Sequence, residues 1–196
     1  QPLIIAEMET KIPTLSVGEA VMQMELSGDG ILVFRNEKHG GVNVVHRRDD
    51  GNVGPVPIGF DFPFYGNSFP TFRVSSNGFI SFTSTSSDLS NAPFPGTGAP
   101  ENLLAVWWDD MVVDPSDGGE VWVYSDGSRC IVQFSVRRIG QFSPPYYEYQ
   151  AILYPNGEIV YQYNVLGSTI NSCTVGIQNG TKDDGVSVEN NTASYL

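Results

Sequence analysis

Short runs of apolar residues alternate with polar positions along most of the chain. Gly, Asn, Asp and Pro separate these runs at short intervals, a pattern typical of antiparallel β-sheet proteins. The nearest approach to a helical pattern, at 17–24, is weakened by Gly18 and by its β-rich surroundings. We therefore expect an all-β fold, an antiparallel, jelly-roll-like β-sandwich. The predicted strands cover residues 20–26, 30–35, 58–63, 71–75, 78–83, 103–108, 120–124, 130–137, 148–154, 158–164 and 173–178.

Three hairpin turns have a chemical basis. Asn-Gly at 77–78 and 156–157, and Asp-Gly at 126–127, supply residues that tolerate the positive φ of tight turns. These turns predict a meander over residues 120–164, in which side chains point alternately inward and outward.

The first part of the chain differs in composition from the rest. Residues 1–52 are poorer in aromatic residues and end in the polar run Arg47-Arg48-Asp49-Asp50-Gly51-Asn52. Such a change is typical of a linker or of the edge of a small unit. We expect 1–52 to form a short N-terminal β extension, faintly similar to Ig-like strands, and 53–196 to form the β-sandwich module.

Composition and charge restrict the partners. Hydrophobic residues make up 40% of the chain and aromatic residues 12%, enough for a packed core. Ten Lys and Arg stand against 22 Asp and Glu, a net charge of −12. Nucleic acid and anionic membranes both attract cationic surfaces, so neither is an expected partner. The apolar runs are also shorter than the ~20 residues of a membrane-spanning helix.

The chain has two cysteines, Cys130 and Cys173, each at the start of a predicted strand and on its apolar face. Structural zinc requires about four Cys or His ligands at fixed spacings, so this pair does not indicate zinc. A disulfide between adjacent strands and a pair of buried free thiols both fit the pattern.

Motifs over about two-thirds of the chain resemble a known family. They read IGFDFPFYGN at 58–67, VSSNGFISF at 74–82, NAP at 91–93, APENLLAVWWDD at 99–110, YQAILYPNGEIVYQY at 149–163 and TVGIQN at 174–179. In this order they resemble β-sandwich accessory modules of secreted bacterial multidomain proteins. Those modules accompany peptidases and adhesins and are similar to the nidogen-like extracellular domain.

This resemblance implies a non-catalytic module, secreted or on the cell surface. Its expected role is adhesion, substrate targeting or spacing within a larger protein. The expected partners are an extracellular polymer, glycan or protein, and neighbouring domains of the same chain. Since one fold hosts many functions, any binding site must be argued from individual residues.

An acidic loop follows the predicted strand at 103–108. Asp109, Asp110, Asp114 and Asp117 lie on it, with a Gly-Gly pair that permits tight backbone curvature. Calcium takes six to eight oxygen ligands, so these four aspartates are the candidate ligands if a metal is bound. The spacing is not that of an EF-hand, and a solvated loop joining two strands explains the same pattern. No other cofactor is expected.

A carbohydrate-binding module is the alternative function, because aromatic rings can stack on sugar rings. Tyr146 and Tyr147 follow two prolines, which predicts a loop or strand entry near the surface. Trp108 and Gln150 complete the candidate ligand-binding set. Neighbours in a strand alternate, so one of Trp107 and Trp108 must face the core.

A glycoside hydrolase is the third alternative. Such enzymes hold two carboxyl groups about 5 Å or about 6.5–9.5 Å apart, and Asp109 with Glu120 or Glu148 is the candidate pair. The two histidines lie in one polar stretch, and no serine carries a Gly-x-Ser-x-Gly signature. We therefore expect the chain not to be an enzyme.

Overall fold

The computed structural model describes residues 12–27, 31–38, 40–46, 51–114 and 118–192. The chain divides into two compact units, Gln1–Arg47 and Arg48–Leu196. Most of the polar run predicted as a linker, 47–50, lies outside the described residues.

The first unit combines one helix with a small sheet. Its elements are β1 (Thr14–Leu15), α1 (Val17–Ser27), β2 (Ile31–Asn36) and β3 (Val42–His46). β1 pairs with β2 in parallel, and β2 pairs with β3 in antiparallel register. The small core of this unit contains Ala20, Met24 and Phe34.

The strand predicted at 20–26 is wrong, because α1 occupies this segment. Ser16 and Glu19 form a capping box: the Glu19 amide donates to Ser16 Oγ at 3.2 Å, and the Ser16 amide donates to Glu19 Oε2 at 2.9 Å. Ala20 and Met24, four residues apart, then share the buried face of the helix. The first unit is therefore not a purely β extension.

The second unit is a β-sandwich of two sheets, which confirms the predicted fold class. Its strands are β4 (Asn52–Phe64), β5 (Asn67–Ser75), β6 (Phe79–Ser81), β7 (Leu103–Trp108), β8 (Met111–Val112), β9 (Glu120–Ser125), β10 (Cys130–Arg138), β11 (Tyr147–Leu153), β12 (Ile159–Val165), β13 (Thr174–Gln178) and β14 (Gly185–Asn190). One sheet has the order β14-β13-β7-β6-β5-β4; the other contains β9-β10-β11-β12 side by side, with β8 paired to β10.

The predicted turn glycines adopt the expected backbone. Gly78, Gly127 and Gly157 have φ angles of 78°, 81° and 89°. Glycine adopts this region without steric cost because it has no Cβ, and these three glycines lie in the β5–β6, β9–β10 and β11–β12 turns. Among the described residues, no helix has the length and apolar character needed to cross a membrane.

A bulge in β7 places two consecutive residues, Val106 and Trp107, on the inner face of the sheet, so that Trp108 lies on the opposite face. The amides of Val106 and Trp107 both donate to the Gly78 carbonyl, at 3.1 and 2.9 Å. Trp107 packs in the main core, whereas Trp108 packs in a second cluster with Phe79, Phe94, Ala99, Leu103 and Ala105. One of the two tryptophans faces the main core, as predicted; it is Trp107, and Trp108 is fully buried as well.

Candidate functional site

The acidic loop is held by arginines of β10. Asp109 is 5% exposed, and its Oδ2 accepts hydrogen bonds from Arg138 Nε at 2.9 Å and from Ser172 Oγ at 2.6 Å. Its Oδ1 accepts one from the Asp110 amide at 2.8 Å. The carboxylate of Asp109 is thus satisfied by protein donors.

Asp114 is engaged in the same way, through Arg137 at 3.0 Å. This follows from the pairing of β8 with β10, which places Arg137 opposite Val112. Asp117 lies outside the described residues. Across 51–114 and 118–192, no group of three or more His, Cys, Asp or Glu side chains could hold a metal ion. Calcium stays a prediction, without support from this geometry.

The four candidate ligand-binding residues do not meet at one place. Trp108 is fully buried and its indole N–H donates to the Asp88 carbonyl at 2.8 Å. Tyr147 is fully buried too, and its hydroxyl donates to the Thr169 carbonyl at 2.6 Å. Tyr146 is half-buried and directly precedes β11, and Gln150 lies on the outer face of that strand. Strand alternation separates Gln150 from Tyr147.

The candidate hydrolase pair gains no support either. Asp109 is occupied by Arg138 and Ser172, as described above. Glu120 and Glu148 are half-buried at positions that alternate with the core residues of β9 and β11, so they lie on the outer face of their sheet.

Both cysteines are free thiols and fully buried. Cys130 begins β10, whereas Cys173 directly precedes β13 in the other sheet. Their strands are therefore not neighbours. Burial raises the pKa of each thiol to about 12. A thiol with so high a pKa carries almost no thiolate at neutral pH and is chemically inert.

We expect neither thiol to react with Ellman's reagent at pH 8 while the chain is folded, because reaction requires an accessible thiolate. After unfolding in guanidinium without reductant, both thiols should be titrated. A disulfide between Cys130 and Cys173 would give no reactive thiol in either state. Rapid reaction of the native chain would contradict the burial of both groups.

A polar row that sequence reasoning did not identify crosses the outer face of β9–β12. Trp122 lies opposite Gln133, Gln133 opposite Gln150, and Gln150 opposite Gln162. With neighbouring strands ~4.8 Å apart, these four side chains span about 14 Å. We call Gln133, Gln150 and Gln162 the amide row. Together with Asn164, they line an open depression of about 450 Å³.

Acidic and aromatic side chains flank the amide row. Glu120, Ser135 and Glu148 are in register beside it, and Asn164 Nδ2 donates to Glu148 Oε2 at 2.7 Å. Burial raises the pKa of Glu120, and a hydrogen bond from the Trp122 side chain acts in the opposite direction. Polar residues at every second position were a sequence signal for an outward face, but their lateral alignment required the strand register.

Fold and surface define this protein as a β-sandwich module joined to a small helix-and-sheet unit. The family model described as "NIDO related" matches residues 33–195, and the chain belongs to this NIDO-related family. The resemblance to a nidogen-like module is confirmed at this coarser level.

The first residues resemble a different group of proteins. The family model "Sigma 54 modulation/S30EA ribosomal protein C terminus" matches residues 1–54. A ribosome hibernation promotion factor of Bradyrhizobium diazoefficiens is 55% identical over 55 residues, which are 28% of this chain and 27% of that protein. The factor of the same name from Rhizobium meliloti is 40% identical over 53 residues, 27% of this chain and 28% of that protein.

The chain thus spans little more than a quarter of the length of these two curated relatives. No solved structure gave a significant match.

The matches at 1–54 overturn the predicted function. A secreted or cell-surface module for adhesion, substrate targeting or spacing, with carbohydrate binding as the alternative, is contradicted by similarity to factors named for the ribosome. The expected partners are wrong for the same reason: a ribosome is an intracellular assembly of RNA and protein, not an extracellular polymer. The prediction that nucleic acid is not a partner, which rests on the net charge of the whole chain, is therefore wrong.

Proposed function

We propose that this chain is part of a ribosome-associated protein that works inside the cell and has no catalytic activity. The observation that carries the proposal is the 55% identity over 55 residues to a ribosome hibernation promotion factor. The matched residues 1–54 include all of the first unit, Gln1–Arg47. The similarity therefore extends over a whole compact unit with its own helix, sheet and core, rather than over an isolated motif.

The distribution of charge supports assigning ribosome attachment to the first unit. Residues 1–47 carry four Lys and Arg against six Asp and Glu, so 4 − 6 gives −2. Residues 48–196 carry six against sixteen, so 6 − 16 gives −10. Binding to RNA requires cations that displace counterions from phosphates. The strongly acidic sandwich is the poorer candidate for that contact, and the nearly neutral first unit is the better one.

We expect the full chain to co-sediment with purified bacterial ribosomes through a sucrose cushion, and Phe34→Asp to abolish this. Phe34 is 0% exposed and packs against Ala20 and Met24. A carboxylate buried there without a partner costs several kcal/mol, more than so small a core can offset. The measurement is the fraction of chain in the ribosome pellet.

Phe142→Asp is the matched control, because it introduces the same charge at a side chain that is 82% exposed in the second unit. It should pellet like the unmodified chain. Near-ultraviolet circular dichroism from Trp107 and Trp108 should show that the sandwich stays folded in both variants. Co-sedimentation of Phe34→Asp at the unmodified level would refute attachment through the first unit. An unmodified chain that does not pellet above a ribosome-free blank would refute ribosome association.

A further inference from the structure

We propose that the outer face of β9–β12 is a docking surface for an Arg- or Lys-rich protein segment in extended conformation. The surface consists of the amide row with Trp122, Glu120 and Glu148. All of its residues belong to the second unit, whereas ribosome attachment is assigned to the first. The inference rests on the proposed function and deepens it. Proteins that bind RNA are basic, so a ribosome-associated protein meets partners that carry Arg- and Lys-rich segments.

The hydrogen-bonding capacity of this surface is rich in acceptors. Gln150 Nε2 donates to Gln162 Oε1 at 2.5 Å, and Gln133 Nε2 donates to the Phe134 carbonyl at 3.1 Å. These bonds use amide donors of the row, and no hydrogen bond to Oε1 of Gln133 or of Gln150 is formed among the described residues. Carboxylates add acceptors only. A guanidinium or ammonium group, which has donors and no acceptor, is the complementary chemistry.

The distribution of charge also favours a cationic partner. Four of the five cations among the described residues of the second unit are already paired with carboxylates: Arg129 with Asp126, Arg137 with Asp114, Arg138 with Asp109, and Lys182 with Glu101. Those pairs leave Glu120 and Glu148 without a cation beside them among the described residues. A cationic segment that approaches this face therefore meets uncompensated negative charge, which favours encounter and fixes orientation.

An aromatic ring lies at one end of the row. Trp122 is half-buried on the outer face, opposite Gln133. An indole face attracts a guanidinium or ammonium group placed over it, with about 0.5–1 kcal/mol at exposed sites. Tyr124, two residues further along β9, lies on the same side of the sheet. The combination of ring and carboxylate suits Arg better than Lys, because the planar guanidinium stacks and forms bidentate bonds.

The dimensions suit an extended segment. About 14 Å across four strands corresponds to four or five residues at ~3.4 Å per residue. Alternate side chains of such a segment lie ~6.8 Å apart on one face, so two or three cations reach the row together. A protein segment is favoured over RNA because phosphates would be repelled by Glu120 and Glu148.

The test uses the full chain and an eight-residue peptide of alternating Arg and Thr, with fluorescence of Trp122 as the readout. Trp107 and Trp108 are 0% exposed, so the peptide should change the emission of Trp122 alone. A peptide with citrulline in place of each Arg is the neutral control. No ribosome is present, so failure here leaves the co-sedimentation result standing, and the two proposals fail separately.

Glu120→Gln with Glu148→Gln should weaken binding of the Arg peptide about tenfold, which corresponds to ~1.4 kcal/mol. Both glutamines keep an acceptor for the Trp122 and Asn164 bonds. Asp61→Asn with Asp88→Asn removes the same charge from exposed positions on β4 and on the segment between β6 and β7, and should change affinity less than about twofold.

Three results would overturn the proposal. The first is equal binding of the Arg and citrulline peptides. The second is equal loss in the two double variants, which would indicate an effect of net charge alone. The third is a single-stranded RNA octamer that changes the emission of Trp122 when added without the peptide, which would make this face an RNA surface. Binding of the Arg peptide that weakens with added salt and is lost only in the Glu120 and Glu148 variant supports it.

Discussion

Gly78→Ala is expected to lower the free energy of unfolding of the sandwich by more than about 3 kcal/mol, or to prevent folding. Gly78 has φ 78°, a region that costs any L-residue backbone strain. A Cβ here would lie 1.9 Å from the Trp107 carbonyl oxygen and 2.6 Å from the Tyr149 hydroxyl. Relief would require the bulge in β7 to open, which moves Trp107 out of the main core.

Gly127→Ala is the matched control. Gly127 has φ 81° in the β9–β10 turn, but a Cβ there meets nothing within 4 Å. Only the backbone strain of an alanine at positive φ remains, so the free energy of unfolding is expected to fall by about 1 kcal/mol. Urea denaturation followed by tryptophan fluorescence measures both variants. Equal losses would show that backbone strain, and not the close approach of Gly78 to β7, sets the requirement for glycine.

Asp109→Ala is expected to lower the free energy of unfolding of the sandwich by about 3 kcal/mol. The side chain of Asp109 is 7% exposed, and its removal leaves the guanidinium of Arg138 without its carboxylate. Breaking a buried pair is costly because one charge stays uncompensated, and the 34% exposure of Arg138 places the expected cost at the lower end of that range. The hydroxyl of Ser172 and the amide of Asp110 lose their acceptor as well.

The Glu101–Lys182 pair provides the comparison. Its atoms are 3.6 Å apart, and the two side chains are 36% and 27% exposed. Solvent screens such a pair, so Glu101→Ala should cost less than about 1 kcal/mol. The loss of stability for Asp109→Asn should lie between those for Asp109→Ala and Glu101→Ala, since an amide oxygen still accepts the hydrogen bond from Ser172. A cost for Asp109→Ala no larger than for Glu101→Ala would mean that the acidic loop contributes little to stability.

The turns were predictable because their chemistry is local. Asn or Asp followed by Gly specifies positive φ without reference to the rest of the chain, and Gly78, Gly127 and Gly157 all have it. The helix α1 was missed although its signal is local too. Ser16 and Glu19 form a capping box, and this outweighs the low helix propensity of Gly18, which lies at an exposed position.

The site could not be predicted because its contacts are distant in sequence. Asp109 meets Arg138 only after β8 has paired with β10, and Ser172 only after β13 has paired with β7, so in the sequence alone the row of aspartates resembles a ligand set. The amide row likewise depends on registers across four strands. The partner could not be predicted for another reason. The net charge of −12 is the sum of a nearly neutral first unit and a strongly acidic second unit, so it does not describe the first unit.

Cys130 and Cys173 do not form a disulfide, and this affects the compartments in which the sandwich is stable. Small extracellular domains commonly rely on disulfides, which a glutathione-buffered cytoplasm would reduce. Here the two sheets are held by aromatic packing and by hydrogen bonds such as that of Tyr163 to the Val106 carbonyl, at 2.7 Å. None of these contacts responds to redox potential, so the fold is as durable in a reducing compartment as in an oxidising one.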